Sequence, residues 1–68
     1  MRQVVIYLGE DGQWVAECLS LPGCVSQGCT KEEAVANIKE AIIGFIEALH
    51  TDGLPVPKDW LQAELLIV

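Results

Sequence analysis

The stretch from its cap at residue 30 to about residue 52 reads as one long amphipathic helix, and a single helix limits how much sheet the molecule can cover. At roughly 100° per residue, Val35, Ile38, Ala41, Ile42, Phe45, Ile46 and Leu49 form one broad apolar stripe. Glu33, Asn37, Glu40, Gly44 and Glu47 line the opposite face. Thr30 is placed to cap the helix, Glu33 completes a capping box, and Glu32 and Glu33 lie at the positive end of the helix dipole. Gly53 supplies a left-handed stop just after Asp52, and Pro55 and Pro57 bar a restart. Two residues fit the wheel poorly. Ile43 falls among polar neighbours, and Gly44 costs about 1 kcal/mol relative to alanine in mid-helix. The pair reads either as a tolerated glycine or as a place where another chain comes close.

The rest of the chain is strand and turn. Residues 3–8 and 14–19 are rich in side chains that suit a pleated, half-buried surface. The turn between them, "GEDGQ", is so short that the two strands must be antiparallel. Val4, Ile6 and Leu8 share one face of the first strand, and Val5 and Tyr7 share the other. The second strand divides into Trp14, Ala16 and Cys18 against Val15, Glu17 and Leu19. Leu21-Pro22-Gly23 forms a tight turn into a short third strand over 24–27, and residues 62–68 are expected to add a last one. The order is β-β-β-α-β, an α+β domain with an antiparallel three-stranded sheet, a C-terminal strand and one helix on one face. Both hairpin faces are largely apolar. The helix covers one of them; the other needs a partner.

Size sharpens that conclusion. Sixty-eight residues make one domain, 1–68, which buries only about 60% of the surface exposed by its unfolded chain. Yet 51% of the residues are hydrophobic and the mean hydropathy is +0.36. Chains this small commonly add disulfides, a metal or a partner chain, so a homodimer or homotetramer is expected. No apolar run is long enough to span a membrane, and the N-terminus enters a strand pattern without a secretory signal. Cys18, Cys24 and Cys29 match no zinc spacing and read as thiols of a reducing, cytoplasmic compartment. Ten acids against four bases give a net charge of −6, which repels nucleic acid and anionic lipid and suits a basic protein.

The sequence offers little to catalysis. His50 stands alone near the helix C-terminus, where its charge would suit the dipole, and no second ligand accompanies it. Cys29 precedes the helix N-terminus, a place that can activate a thiol, but no histidine lies near it in sequence to act as a base. "GCT" is not a phosphate-binding loop. Trp14 and Trp60 lack a basic groove for nucleic acid and read as core or interface residues. No catalytic residue, metal or cofactor is expected.

Several motifs together resemble one family. An aromatic residue follows the hairpin turn, at Trp14, and Leu21-Pro22-Gly23-Cys24 comes next. Gln27-Gly28, Thr30, Glu33-Ala34, Asn37 and Glu40-Ala41 follow, with Pro55 and Pro57 at the end. In this combination the chain is similar to the HicB antitoxins of bacteria and their stand-alone relatives. The resemblance implies a partial RNase H-like domain that dimerises or tetramerises and neutralises HicA, a small basic mRNA interferase that cleaves RNA through a histidine. The likeness to RNase H concerns the fold alone, because the first strand carries Val4, Ile6 and Leu8 in place of metal-binding carboxylates. Two features depart from the family. Cys29 stands where an aspartate is frequent, so the cap rests on Thr30, and no DNA-binding domain follows the last strand, so autoregulation is not expected.

The expected function is therefore stoichiometric occlusion of a HicA-like toxin, with an orphan oligomeric interaction domain as the alternative. A small enzyme using Cys29 is a weaker third. The expected partner-binding residues are Glu10, Asp11, Trp14, Leu21 and Pro22, the acids and apolar groups of the loops and the start of the second strand.

Overall fold

The computed structural model describes residues 2–59 and 66–67. Three strands, β1 (Val4–Leu8), β2 (Trp14–Cys18) and β3 (Val25–Gly28), precede one helix, α1 (Lys31–Thr51). The sheet order is β1-β2-β3 and both pairings are antiparallel. This is the α+β arrangement expected for the first four elements. The expected last strand, 62–68, lies outside the described residues except for Leu66 and Ile67, which are exposed and in no regular element. Trp60 also lies outside them.

Local chemistry explains the joints. Between β1 and β2, the Asp11 carboxylate accepts the Gln13 N–H at 3.0 Å, and Gly12 takes a φ of 83°, a left-handed conformation that glycine adopts without strain. The second corner is tied by the Leu21 N–H to the Cys18 carbonyl and the Cys24 N–H to the Leu21 carbonyl, with Gly23 at φ 86°. β3 begins one residue later than the sequence pattern suggests. The Cys24 carbonyl still accepts the Cys18 N–H at 3.0 Å, so the pairing extends through Cys24 although the turn already claims its N–H.

The helix starts and stops as its sequence dictates. Thr30 is the N-cap, and its hydroxyl accepts the Glu33 N–H at 3.0 Å. The returning half of the box is displaced by one residue: the Glu33 carboxylate accepts the Cys29 N–H at 3.1 Å. At the other end, the Gly53 N–H reaches the His50 carbonyl and the Leu54 N–H reaches the Leu49 carbonyl, the paired bonds of a Schellman motif around a glycine at φ 70°.

The core sits between α1 and the face of the sheet that carries Val4, Ile6, Trp14, Ala16 and Cys18. Its fully enclosed members are Ala16, Cys18, Leu21, Cys24, Ala34 and Ile38, with Phe45, Ile46 and Leu49 packed against them. Ala34 falls outside the expected stripe, and Gly28 explains its burial. A Cβ at Gly28 would lie 2.7 Å from the Ala34 nitrogen, so the first turn of α1 rests directly on the backbone of β3. The Asn37 amide, on the polar face, secures the same contact by donating to the Gln27 carbonyl at 2.8 Å. The tail then returns to the start of β1. Arg2 donates to the Ser20 hydroxyl and the Pro57 carbonyl, and the Asp59 carboxylate accepts the Gln3 N–H at 3.0 Å.

Candidate protein-binding surface

Alternation along paired strands places residues in rows, and the face away from α1 carries two of them. One row is Val5, Glu17 and Val25; the next is Tyr7, Val15 and Gln27. No described element lies over either row. Val5, Tyr7 and Val25 keep 43%, 44% and 50% of their surface in solvent. Leu19, just beyond β2, is also exposed. The result is an apolar face with one carboxylate, Glu17, between two valines.

That carboxylate is engaged. The Tyr7 hydroxyl donates to the Glu17 Oε2 at 3.0 Å. The hydrogen bond favours the neutral phenol, and partial burial and the negative charge of Glu17 act in the same direction, so Tyr7 ionises above the usual tyrosine range. A cation from a partner would meet an oriented carboxylate here, at the centre of a patch of apolar side chains.

The structure divides the five residues expected to bind a partner. Glu10 and Asp11 are exposed at the β1–β2 turn, and Trp14, half-buried at the start of β2, pairs with Gly28 at the same end. Glu32 and Glu33 in the first turn of α1 add two exposed acids near that end. Leu21 and Pro22 lie beyond the far end of β2, about 13 Å of strand away. Pro22 is exposed there, whereas Leu21 is fully enclosed and reaches a partner only by shaping the turn beneath Pro22. The two groups form no single patch. The open sheet face lies between them, and its signal in the sequence was the alternation of Val5 and Tyr7 against Val4 and Ile6.

Little here serves a reaction. Cys18 and Cys24 are buried, and burial together with the neighbouring Cys18 pushes the Cys24 thiol up. Cys29 is exposed, and its sulfur accepts a long contact from the Gln13 amide at 3.8 Å. His50 is exposed in the last turn of α1. Among the described residues, no three histidine, cysteine or acidic side chains are grouped to hold a metal ion, and no helix is long and apolar enough to cross a membrane.

Comparison with known proteins gives this surface a context. A UPF0150 protein of Thermoplasma acidophilum is 48% identical over 56 residues, covering 82% of this chain and 81% of that protein. A UPF0150 protein of Synechocystis is 53% identical over 58 residues, covering 85% and 73% of the two chains. One from Helicobacter pylori is 56% identical over 34 residues, covering 50% and 47%. No solved structure gives a significant match. The family described as the HicB-like antitoxin of the bacterial toxin–antitoxin system matches residues 3–65. With nearly all of its sequence inside that match, the chain belongs to the HicB-like antitoxin family.

Proposed function

We propose that this protein binds and neutralises a small basic mRNA interferase of the HicA type by covering it, with no catalysis of its own. Family membership over residues 3–65 is the observation that carries this reading. Physical chemistry supports it in two ways. A net charge of −6 attracts a basic partner and speeds its encounter. The open sheet face offers apolar area around Glu17, and Glu10, Asp11 and Trp14 at one end with Leu21 and Pro22 at the other extend it. In this reading Glu10, Asp11 and Pro22 touch the toxin directly, and Trp14 and Leu21 hold the contacting backbone in place.

The same reading takes residues 1–68 as one HicB-like unit working in the cytoplasm as a homo-oligomer. Its sheet is completed in the partial RNase H-like manner by a fourth strand from 62–68. The decisive experiment is titration of RNA cleavage by a basic ribonuclease encoded next to this protein's gene. Cleavage should fall in proportion to added protein and vanish near equimolar ratio. Undiminished cleavage at several-fold excess, with no complex on gel filtration, would leave an oligomeric interaction domain without a toxin.

A further inference from the structure

Glu17 pairs with Val25 in the β2–β3 ladder, so the next pair along sets Cys18 directly opposite Cys24. The Cys18 N–H bonds the Cys24 carbonyl at 3.0 Å and fixes that register. Residues opposite each other in an antiparallel pair point to the same side, and both cysteines are enclosed in the core. A hydrogen-bonded pair sets its Cα atoms about 5.5 Å apart, inside the range of roughly 4.4–6.8 Å that a disulfide spans. Cys29 follows Gly28 at the other end of β3, about 13 Å of strand from Cys24 and out of reach of a bridge. The two enclosed sulfurs have unlike surroundings. The Ser20 hydroxyl oxygen accepts Arg2 Nη1 at 2.9 Å, and its own hydrogen is free to point at the Cys18 Sγ, 3.5 Å away. A negative charge forming on Cys18 therefore meets a hydroxyl donor backed by a guanidinium. Burial, with the charge of Cys18 beside it, pushes the Cys24 thiol up and keeps its proton in place. The cover over the pair is thin: Leu19, Pro22 and Gly23 are all exposed.

We infer that Cys18 and Cys24 form a two-electron redox site: hydrogen peroxide closes them into a disulfide across the β2–β3 corner, and a thiol reductant reopens it. Cys18 is the attacking sulfur. As a thiolate it attacks one peroxide oxygen and the O–O bond breaks. Hydroxide leaves, takes up the proton that Cys18 gave up, and Cys18 becomes a sulfenic acid. The Cys24 sulfur then attacks the Cys18 sulfur, the S–O bond breaks, and the departing hydroxide takes the Cys24 proton. Two thiols and one peroxide become one disulfide and two waters, the sulfurs losing the two electrons that the peroxide gains. In a reducing compartment the pair rests as thiols, and the bridge closes when peroxide rises. Once closed, it ties down the Leu21-Pro22-Gly23 corner and removes freedom from the unfolded chain.

Hydrogen peroxide added to the full chain carrying Cys29→Ser tests this with the exposed thiol removed. After quenching, unfolding and alkylation, the intact mass should show two hydrogens lost and no alkyl group gained. A reductant should restore two alkylatable thiols, and peptide mapping should find Cys18 joined to Cys24. Ser20→Ala in the same background should slow closure by about tenfold, because the attacking thiolate loses its donor. Ser20→Thr, which keeps the hydroxyl, should restore the rate. The bridged chain should melt about 5 °C or more above the reduced one. Cys18 and Cys24 that stay fully alkylatable, a sulfinic acid at either of them without a bridge, or a melting midpoint that does not rise overturns the inference. A closure rate indifferent to Ser20→Ala overturns the role given to Cys18. None of these results touches the antitoxin reading, which the ribonuclease titration judges by itself.

Discussion

The two faces of this sheet are built from different kinds of residue. The covered face is made of small side chains at its centre: Ala16 and Cys18 on β2, Gly28 on β3 and, facing them, Ala34 on the helix. The open face has the larger Val5, Tyr7, Val15 and Val25. Small residues let the helix settle onto the backbone, and close packing of this kind supplies the dispersion contacts that a little domain needs. The open face gains nothing comparable from the described residues. Covering a valine or another large apolar side chain stabilises by about 1.5–3 kcal/mol, a gain that no described element supplies on this face. One face holds the described fold together; the other stands open and is the face proposed above for a partner.

Substitutions should separate the two roles, and the largest effect belongs to the covered face. Ile38 is the largest helix side chain fully enclosed against the sheet. Ile38→Ala should cost about 2–5 kcal/mol of unfolding free energy, much of what so small a chain has, as urea denaturation would measure. A loss below 1 kcal/mol would mean that the helix packs less tightly than Ala34 and Gly28 imply. Gly28→Ala comes next. Its new methyl would meet the Ala34 nitrogen at 2.7 Å and the Glu33 side chain at 2.9 Å, so the first helical turn must lift. The expected loss is about 1–3 kcal/mol, with a drop in helical circular dichroism at the same temperature.

On the open face the same measurement should barely move. Val25→Ser alters a side chain that is half exposed, so unfolding should stay within about 0.5 kcal/mol of wild type. If the open face takes the proposed ribonuclease, binding should weaken markedly, as calorimetry at matched concentration would read. If Val25→Ser destabilises the isolated chain as much as Gly28→Ala does, the contrast between the faces fails.

How far these faces could be read from the sequence depends on the range of the forces involved. The hairpin, the Leu-Pro-Gly corner, the Thr30 cap and the Gly53 stop are local, and each carries its own residue signature, so each lies where the sequence puts it. The division of β1 and β2 into faces was equally legible, because alternation is a property of the strand itself. Ala34 was not. Its burial depends on a glycine six residues earlier in a different element, and no helical wheel records that approach. Leu21 misled in the opposite way. A leucine beside Pro-Gly looks like a loop tip, but the turn folds it inward under Cys18 and Cys24. The open face is visible in the sequence as a surplus of apolar strand residues, and the expected contacts Glu10, Asp11 and Pro22 stand at its two ends, where charge and turn chemistry are conspicuous.

The smallest effect is also the most local report on the open face. Tyr7 is the only tyrosine in the chain, so the rise of phenolate absorbance with pH follows this one group. Its hydroxyl donates to Glu17, and ionisation would both break that bond and set two negative charges side by side. The midpoint should therefore lie above the value of about 10 for a free tyrosine. A folded-state pKa raised in this way lends the fold its support fully below pH 10 and withdraws it as the pH climbs through the folded value, so the window is alkaline. Glu17→Gln removes the charge while keeping an acceptor, and the midpoint should move down toward the free value. A midpoint indifferent to Glu17→Gln would mean that the pair does not form in solution and that the carboxylate is not held in place for a partner. If a protein partner covers this face, added partner should push the midpoint higher still, because the phenolate would lose its water. If the partner binds elsewhere, the Tyr7 curve will not change, and the open face will have lost its assigned role.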